Sequence, residues 1–205
     1  MVQEQPSVTG VILSGGQSSR MGQNKSLMML GERRLIDRVV DVLCEVFTDL
    51  MIVTNAPDVY ADLGLSMVGD VFPHKGSLGG IYSAIHHVST PYCFVVACDM
   101  PFLNAALMRY MMSQMTDYDV VMPDIEGNMQ PLHAIYSKAC LTPIQQRLVA
   151  GRLKIVGFLS DVRVRTVTTD EVQHFDPQLL AFQNLNTPEE FHMAVERLGL
   201  LQHGH

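Results

Sequence analysis

Short apolar runs alternate along this chain with longer segments in which apolar residues recur every three to four positions, the rhythm of strands and helices. Runs at Thr9–Leu13, Leu50–Val53, Tyr92–Ala97, Asp119–Met122 and Leu132–Tyr136 predict buried strands, with a weaker one at Arg163–Val167. Helical spacing marks Leu35–Phe47, Leu78–His87, Asn104–Gln114, Cys140–Ala150, Lys154–Ser160 and Pro188–Leu198. In the first, Leu35, Ile36, Val39, Val42, Leu43, Val46 and Phe47 form one apolar stripe, suited to lie on a sheet. Thr187-Pro188-Glu189-Glu190 reads as an N-cap, a proline at the first helical position and acids in the first turn. Strands alternating with helices predict parallel βαβ units, hence a three-layer, doubly wound α/β fold with a mostly parallel sheet. A length of 205 residues suits one domain, 1–205.

The first strand opens into Ser14-Gly15-Gly16-Gln17-Ser18-Ser19-Arg20-Met21-Gly22-Gln23-Asn24-Lys25. Small residues let backbone N–H groups approach a polyanion without obstruction by Cβ, and Arg20 and Lys25 can neutralise its charge. The loop is therefore suited to a triphosphate. It is not a P-loop, because five residues separate Gly16 from Gly22 and Gln23 stands where lysine is needed. Nor does it carry the G-x-G-x-x-G dinucleotide fingerprint.

Bulk properties narrow the setting. The chain is 47% hydrophobic and 17% charged, which is globular rather than disordered. With a net charge of −7 and no Lys/Arg run, nucleic-acid binding is not expected, so local cations and a metal must hold any phosphate ligand. Cys44, Cys93, Cys98 and Cys140 form no C-x-x-C pair and read as reduced core thiols. The N-terminus MVQEQPSVTG lacks a signal-peptide pattern and no apolar run is long enough for a bilayer. These features predict a cytoplasmic protein without a membrane partner.

In an open parallel sheet, ligands sit beyond the carboxyl ends of the strands. Three segments meet that rule: Ser14–Lys25, Thr54-Asn55 and Cys98-Asp99, each directly after a predicted strand. Asp99, delivered by a wholly apolar run, is a hard oxygen ligand of the kind Mg²⁺ takes beside phosphates. Asp70 precedes Gly76…Gly80, and Gly79-Gly80 at a helix start would admit a substrate phosphate. His74, His86 and His87 have no metal-ligand spacing, and His133 reads as a satisfied core or edge histidine rather than a base.

The loop matches L-A-G-G-x-S-x-R-M-G-x-x-K with Ser14 in place of alanine, and Cys98–Phe102 reads C-D-M-P-F. Gln130–Tyr136 is similar to h-P-L-x-A-l-Y, and Asn184–Phe191 to N-x-N-T-P-E-D-L. Together, from about Thr9 to Ala194, these resemble nucleotidyltransferases of the molybdenum cofactor guanylyltransferase family. The resemblance implies a Rossmann-like nucleotidyltransferase fold with a nucleotide half at about 8–103 and a second-substrate half at about 104–200. It implies transfer of GMP from GTP to the phosphate of molybdenum-molybdopterin, with Mg²⁺ on Asp99 and pyrophosphate as the other product. It implies Arg20, Lys25 and Asp99 as catalytic residues. Nucleotide contacts fall on Leu13, Ser14, Gly15, Gly16, Lys25, Asn55, Asp70 and Asp99, and second-substrate contacts on Lys154, Asn184 and Asn186. Accessory molybdenum-cofactor proteins and recipient molybdoenzymes are the implied partners.

Some positions depart from the pattern: Ser77 and Gly79 stand for proline and alanine, and Lys154 for an arginine whose bidentate fork it cannot make. A cytidylyltransferase, another phosphate acceptor, or a non-catalytic cofactor-binding chaperone are the alternatives. Cytidylyl relatives tend to show L-A-A-G, whereas Gly15-Gly16 follows the guanylyl pattern.

Overall fold

The computed structural model describes residues 6–15, 25–185 and 187–202. In chain order its strands are β1 (Val8–Leu13), β2 (Met29–Leu30), β3 (Arg33–Arg34), β4 (Leu50–Val53), β5 (Ser66–Val68), β6 (Tyr92–Ala97), β7 (Val120–Ile125), β8 (Asn128–Met129), β9 (His133–Ser137) and β10 (Val164–Val167). The α-helices are α1 (Leu35–Val46), α2 (Gly76–His87), α3 (Ala105–Ser113), α4 (Leu141–Val149), α5 (Thr169–Gln173) and α6 (Pro188–Gln202).

The main sheet has the order β10-β7-β9-β6-β1-β4-β5, with β8 paired to β7. Its pairings are parallel except around β9, which runs antiparallel to both β6 and β7, and at the β7–β8 hairpin. β9 had the apolar run of a strand in a βαβ series, and its reversal has a simple cause. Seven residues join it to its neighbour β7, too few for the crossover that a parallel pair requires.

Side-chain alternation along the strands fills two cores, one on each face. Ile12, Ile52, Phe94, Val96 and Ile135 pack with Val39 and Leu43 of α1 and Leu107 and Met108 of α3. Val11, Val53, Val95 and Tyr136 pack with Leu78 and Ile81 of α2 and Ile144 and Leu148 of α4. The expected stripe of α1 is thus realised, and the chain has helices on both sides of its sheet. α6 has the predicted cap: Glu190 N–H donates to Thr187 Oγ1 at 3.1 Å and Thr187 N–H to the Glu190 carboxylate at 2.9 Å. Leu185 and Ala194 then bury against Leu30 and Leu35 beside the β2–β3 hairpin. No described helix is long and apolar enough to cross a membrane.

Other expectations need correction. Lys154–Ser160 forms only a 3₁₀ segment, Ile155–Asp161. Cys44 is exposed on α1, while Cys93 and Cys140 are buried as read. β2, β3, β5, β8 and α5 are too short for periodicity to announce them.

His133 is in the core, but not satisfied there. It is fully buried, and among the described residues neither ring nitrogen has a hydrogen-bond partner. Its ring lies edge-on between Phe94 and Phe182, with centroids 5.1 and 5.0 Å away. Burial pushes its pKa down to about 4. The unfolded chain, with an ordinary histidine, gains its proton first as pH falls, so stability is lost between about pH 6.5 and 4. The full penalty is of order 3 kcal/mol. Chemical denaturation of His133→Leu across this range should show a flatter pH profile than wild type. Parallel profiles would place the acid sensitivity elsewhere.

Candidate active site

The carboxyl ends of β1, β4 and β6 are level. Leu13 is opposite Val53 on one side and Ala97 on the other. The ladder continues one step, with Ser14 N–H donating to Val53 O at 3.0 Å and Cys98 N–H to Leu13 O at 3.2 Å. Thr54 N–H likewise reaches Val68 O of β5 at 2.8 Å. Ser14, Thr54 and Cys98 therefore leave the sheet side by side, and Gly15, Asn55 and Asp99 follow them. The edge expected from the strand pattern is present.

Asp99 sits half-buried in the turn after β6. Asn184 Nδ2 donates to its Oδ1 at 3.0 Å, and Leu185 N–H donates to its backbone oxygen at 3.1 Å. Burial raises the carboxyl pKa above the ordinary value, while its backbone hydrogen bond and the Lys25 ammonium pull it back and Glu190 pushes it further up. An anion that burial disfavours, with one oxygen held by an amide, suits a cation that would relieve its charge. The donor set thus fits Mg²⁺, which asks for one or two carboxylates and takes phosphate oxygens and water for the rest. Among the described residues no group of three His, Cys, Asp or Glu gathers as an all-protein metal cage.

Asn55 and Asp70 form a reciprocal pair. Asn55 Nδ2 donates to Asp70 Oδ2 at 2.8 Å, and Asp70 N–H to Asn55 Oδ1 at 3.0 Å. Each fixes the other's rotamer at the mouth of an open cleft of about 300 Å³ bordered by Thr54, Asn55, Pro57, Met67, Val68 and Gly69. The sequence suggested these two residues separately; their coupling is new.

Ser14 and Ser26 both hydrogen-bond the buried phenol of Tyr60, Ser26 at 2.8 Å. Burial drives the pKa of the Cys98 thiol up to about 12, outweighing the Ser14 hydroxyl that lowers it, so that thiol stays protonated. Tyr60 and Ser26 were not anticipated, because neither belongs to a motif. The one available hint is that a tyrosine inside a globular core needs a partner for its hydroxyl.

The remaining predicted residues divide. Among the described residues, a Cβ at Gly15 would meet no atom within 4 Å. Leu13 is buried, with its side chain under Gly80. Gly79 and Gly80 do not open onto a ligand: a Cβ at Gly79 would lie 2.9 Å from Lys75 Cβ and 3.0 Å from Phe72 O, and at Gly80 3.3 Å from Leu13 Cδ1. They allow α2 to pack closely on its own loop and on β1, a need that outranks substrate access. Lys154 is exposed just before the 3₁₀ segment after α4, and no hydrogen bond joins it to Asp99 or Asn184. Gly16, Arg20 and Asn186 lie outside the described residues.

Fold and edge together are those of a Rossmann-like nucleotidyltransferase. The chain belongs to the MobA-like NTP transferase domain family, whose model matches residues 10–163. It is 42% identical over 182 residues to the "Probable molybdenum cofactor guanylyltransferase" of Pelotomaculum thermopropionicum, covering 89% of each chain. It is 40% identical over 189 residues to the molybdenum cofactor guanylyltransferase of Desulfosudis oleivorans, covering 91% of this chain and 94% of that one. The crystal structure of molybdopterin-guanine dinucleotide biosynthesis protein A from Archaeoglobus fulgidus superposes with a TM-score of 0.83, at 24% identity over 94% of this chain and 99% of that one.

Proposed function

We propose that this protein is a cytoplasmic, Mg²⁺-dependent molybdenum cofactor guanylyltransferase formed by one domain over residues 1–205. It would join GTP to the phosphate of molybdenum-molybdopterin. An oxygen of that phosphate attacks the α-phosphorus of GTP, the α–β P–O bond breaks, and pyrophosphate leaves with the electron pair. The nucleophile is already an anion, so the reaction needs no Ser–His or Cys–His pair. The observation that carries this reading is Asp99, oriented by Asn184 on the same sheet edge as Ser14, Gly15 and Asn55.

Mg²⁺, when bound to Asp99, supplies charge neutralisation at the phosphates. Lys25 and Arg20 stabilise the charge that builds on departing pyrophosphate. Leu13, Ser14, Gly15 and Gly16 border the nucleotide, while Asn55 and Asp70 meet it as one hydrogen-bonded unit. Asn186 and Lys154 serve the second substrate. Asn184 keeps its amide oxygen for that substrate while its N–H holds Asp99, so it joins the nucleotide half (about 8–103) to the other half (about 104–200).

Pyrophosphate release by purified protein with Mg²⁺–GTP and molybdopterin tests the activity; dependence on both substrates is expected, and no release with both present rules it out, leaving a cofactor-binding chaperone. Accessory molybdenum-cofactor proteins and the recipient molybdoenzymes would then act before and after this step. Asn184→Ala should raise the Mg²⁺ needed for half-maximal rate by roughly 10- to 100-fold, as loss of a partner behind a metal ligand does. Binding of Mn²⁺ to the GTP complex, followed by paramagnetic resonance, should weaken in parallel. Unaltered metal binding with a higher KM for molybdopterin would restrict Asn184 to the second substrate.

A further inference from the structure

We propose that Tyr60 is a positioning residue that fixes Lys25 relative to Asp99, an inference that rests on the guanylyltransferase reading for its effect on turnover. Four segments meet through two serine hydroxyls, a buried phenol and the backbone bond between β6 and β1. Cys98 N–H donates to Leu13 O at 3.2 Å, the hydroxyl of the next residue, Ser14, bonds Tyr60, and Tyr60 bonds Ser26 at 2.8 Å. Tyr60 is 1% exposed and Ser26 fully buried, so solvent cannot replace these bonds cheaply. A phenol has one proton to give, so at least one serine donates to it.

The ends of this chain of bonds are informative. Cys98 directly precedes Asp99, and Ser26 directly follows Lys25. Asp99 inherits its place from β6, but Lys25 does not come off a strand of the main sheet. It begins the 3₁₀ turn Lys25–Leu27, closed by Met28 N–H to Lys25 O at 3.0 Å. The Ser26–Tyr60 bond ties that turn to the loop after β4, and Ser14 ties Tyr60 to the exit of β1. Cys98, which precedes Asp99, is hydrogen-bonded to Leu13, and Leu13 precedes Ser14, so both ends of the brace are tied to the exit of β1. A cation for the triphosphate and a carboxylate for the metal are useful only at a set separation, and Tyr60 supplies the brace between them. Ser14 makes the brace complete in this chain, at a position where the family's loop carries alanine.

Tyr60→Phe removes the phenolic oxygen and leaves the ring to fill its place. It should weaken Mg²⁺–GTP binding, read by calorimetry, about tenfold and lower kcat/KM by on the order of 10- to 100-fold, with a near-wild-type Tm. Ser26→Ala should act in the same direction, and the double variant should be no worse than Tyr60→Phe alone, because both cut one chain of bonds. In ligand-free protein, amide exchange over residues 25–28 should quicken in Tyr60→Phe while that of α1 does not. A lower Tm with GTP affinity and exchange unchanged would make Tyr60 merely structural, and additive losses in the double variant would break the proposed chain. If wild type bound no GTP, the functional reading would fall, and the exchange measurement would still decide whether Tyr60 braces the Lys25 turn.

Discussion

Asp99→Asn is expected to fold as well as wild type, or better, and to lose at least about a thousandfold in kcat, roughly 4 kcal/mol of transition-state stabilisation. The two halves of this result come from one geometry. Asn184 Nδ2 donates to Asp99 Oδ1, and an asparagine can offer its own carbonyl to that donor. The tie to residues 184–185 therefore survives. Burial raises the Asp99 pKa, so the ionised side chain is held at neutral pH against a desolvation cost that an amide escapes. What the variant cannot offer is an anionic oxygen to the metal. Thermal melting and single-turnover rates across a range of Mg²⁺ concentrations check both halves. A variant with wild-type kcat at saturating Mg²⁺ would remove Asp99 from the metal site.

The base choice should be nearly as marked, with kcat/KM for GTP exceeding that for CTP by roughly 10⁴-fold. A site built on guanine's donors and acceptors leaves its own buried groups unpaired when the wrong base enters, and that loss can reach this size. Gly15 offers the direct probe. Its backbone is not in the left-handed region and, among the described residues, a Cβ there meets no atom within 4 Å. A side chain at 15 would thus clash with none of the described residues and, on the proposed function, would enter the nucleotide's space. Gly15→Leu should depress GTP use more than CTP use, because the purine is the larger base. Equal kcat/KM for the two nucleotides, or a preference for CTP, would move the protein to the cytidylyl branch.

The α1 stripe, the Thr187 cap and the runs that became β1, β4 and β6 depend on residues within a few positions of one another, so they are written in the local pattern. The placement of Ser14, Asn55 and Asp99 at one edge follows from those strands, since parallel strands present their carboxyl ends together. The reversal of β9 was hidden because an apolar run has no direction; the length of the link to its pairing partner β7 decides it.

By itself, then, the sequence determined the class of fold, the edge at which the candidate residues stand and the family, since periodicity and motif spacing are local quantities. Only the tertiary structure decided which side chains act together. Asn184 reaches Asp99 across 85 positions, and Tyr60 lies 46 from Ser14 and 34 from Ser26. It also decided that Gly79 and Gly80 serve packing rather than substrate, and that His133 is buried without a partner among the described residues. These outcomes depend on three-dimensional contacts between elements, and no spacing along the chain encodes the side chain that lies opposite once the sheet and its helices have closed.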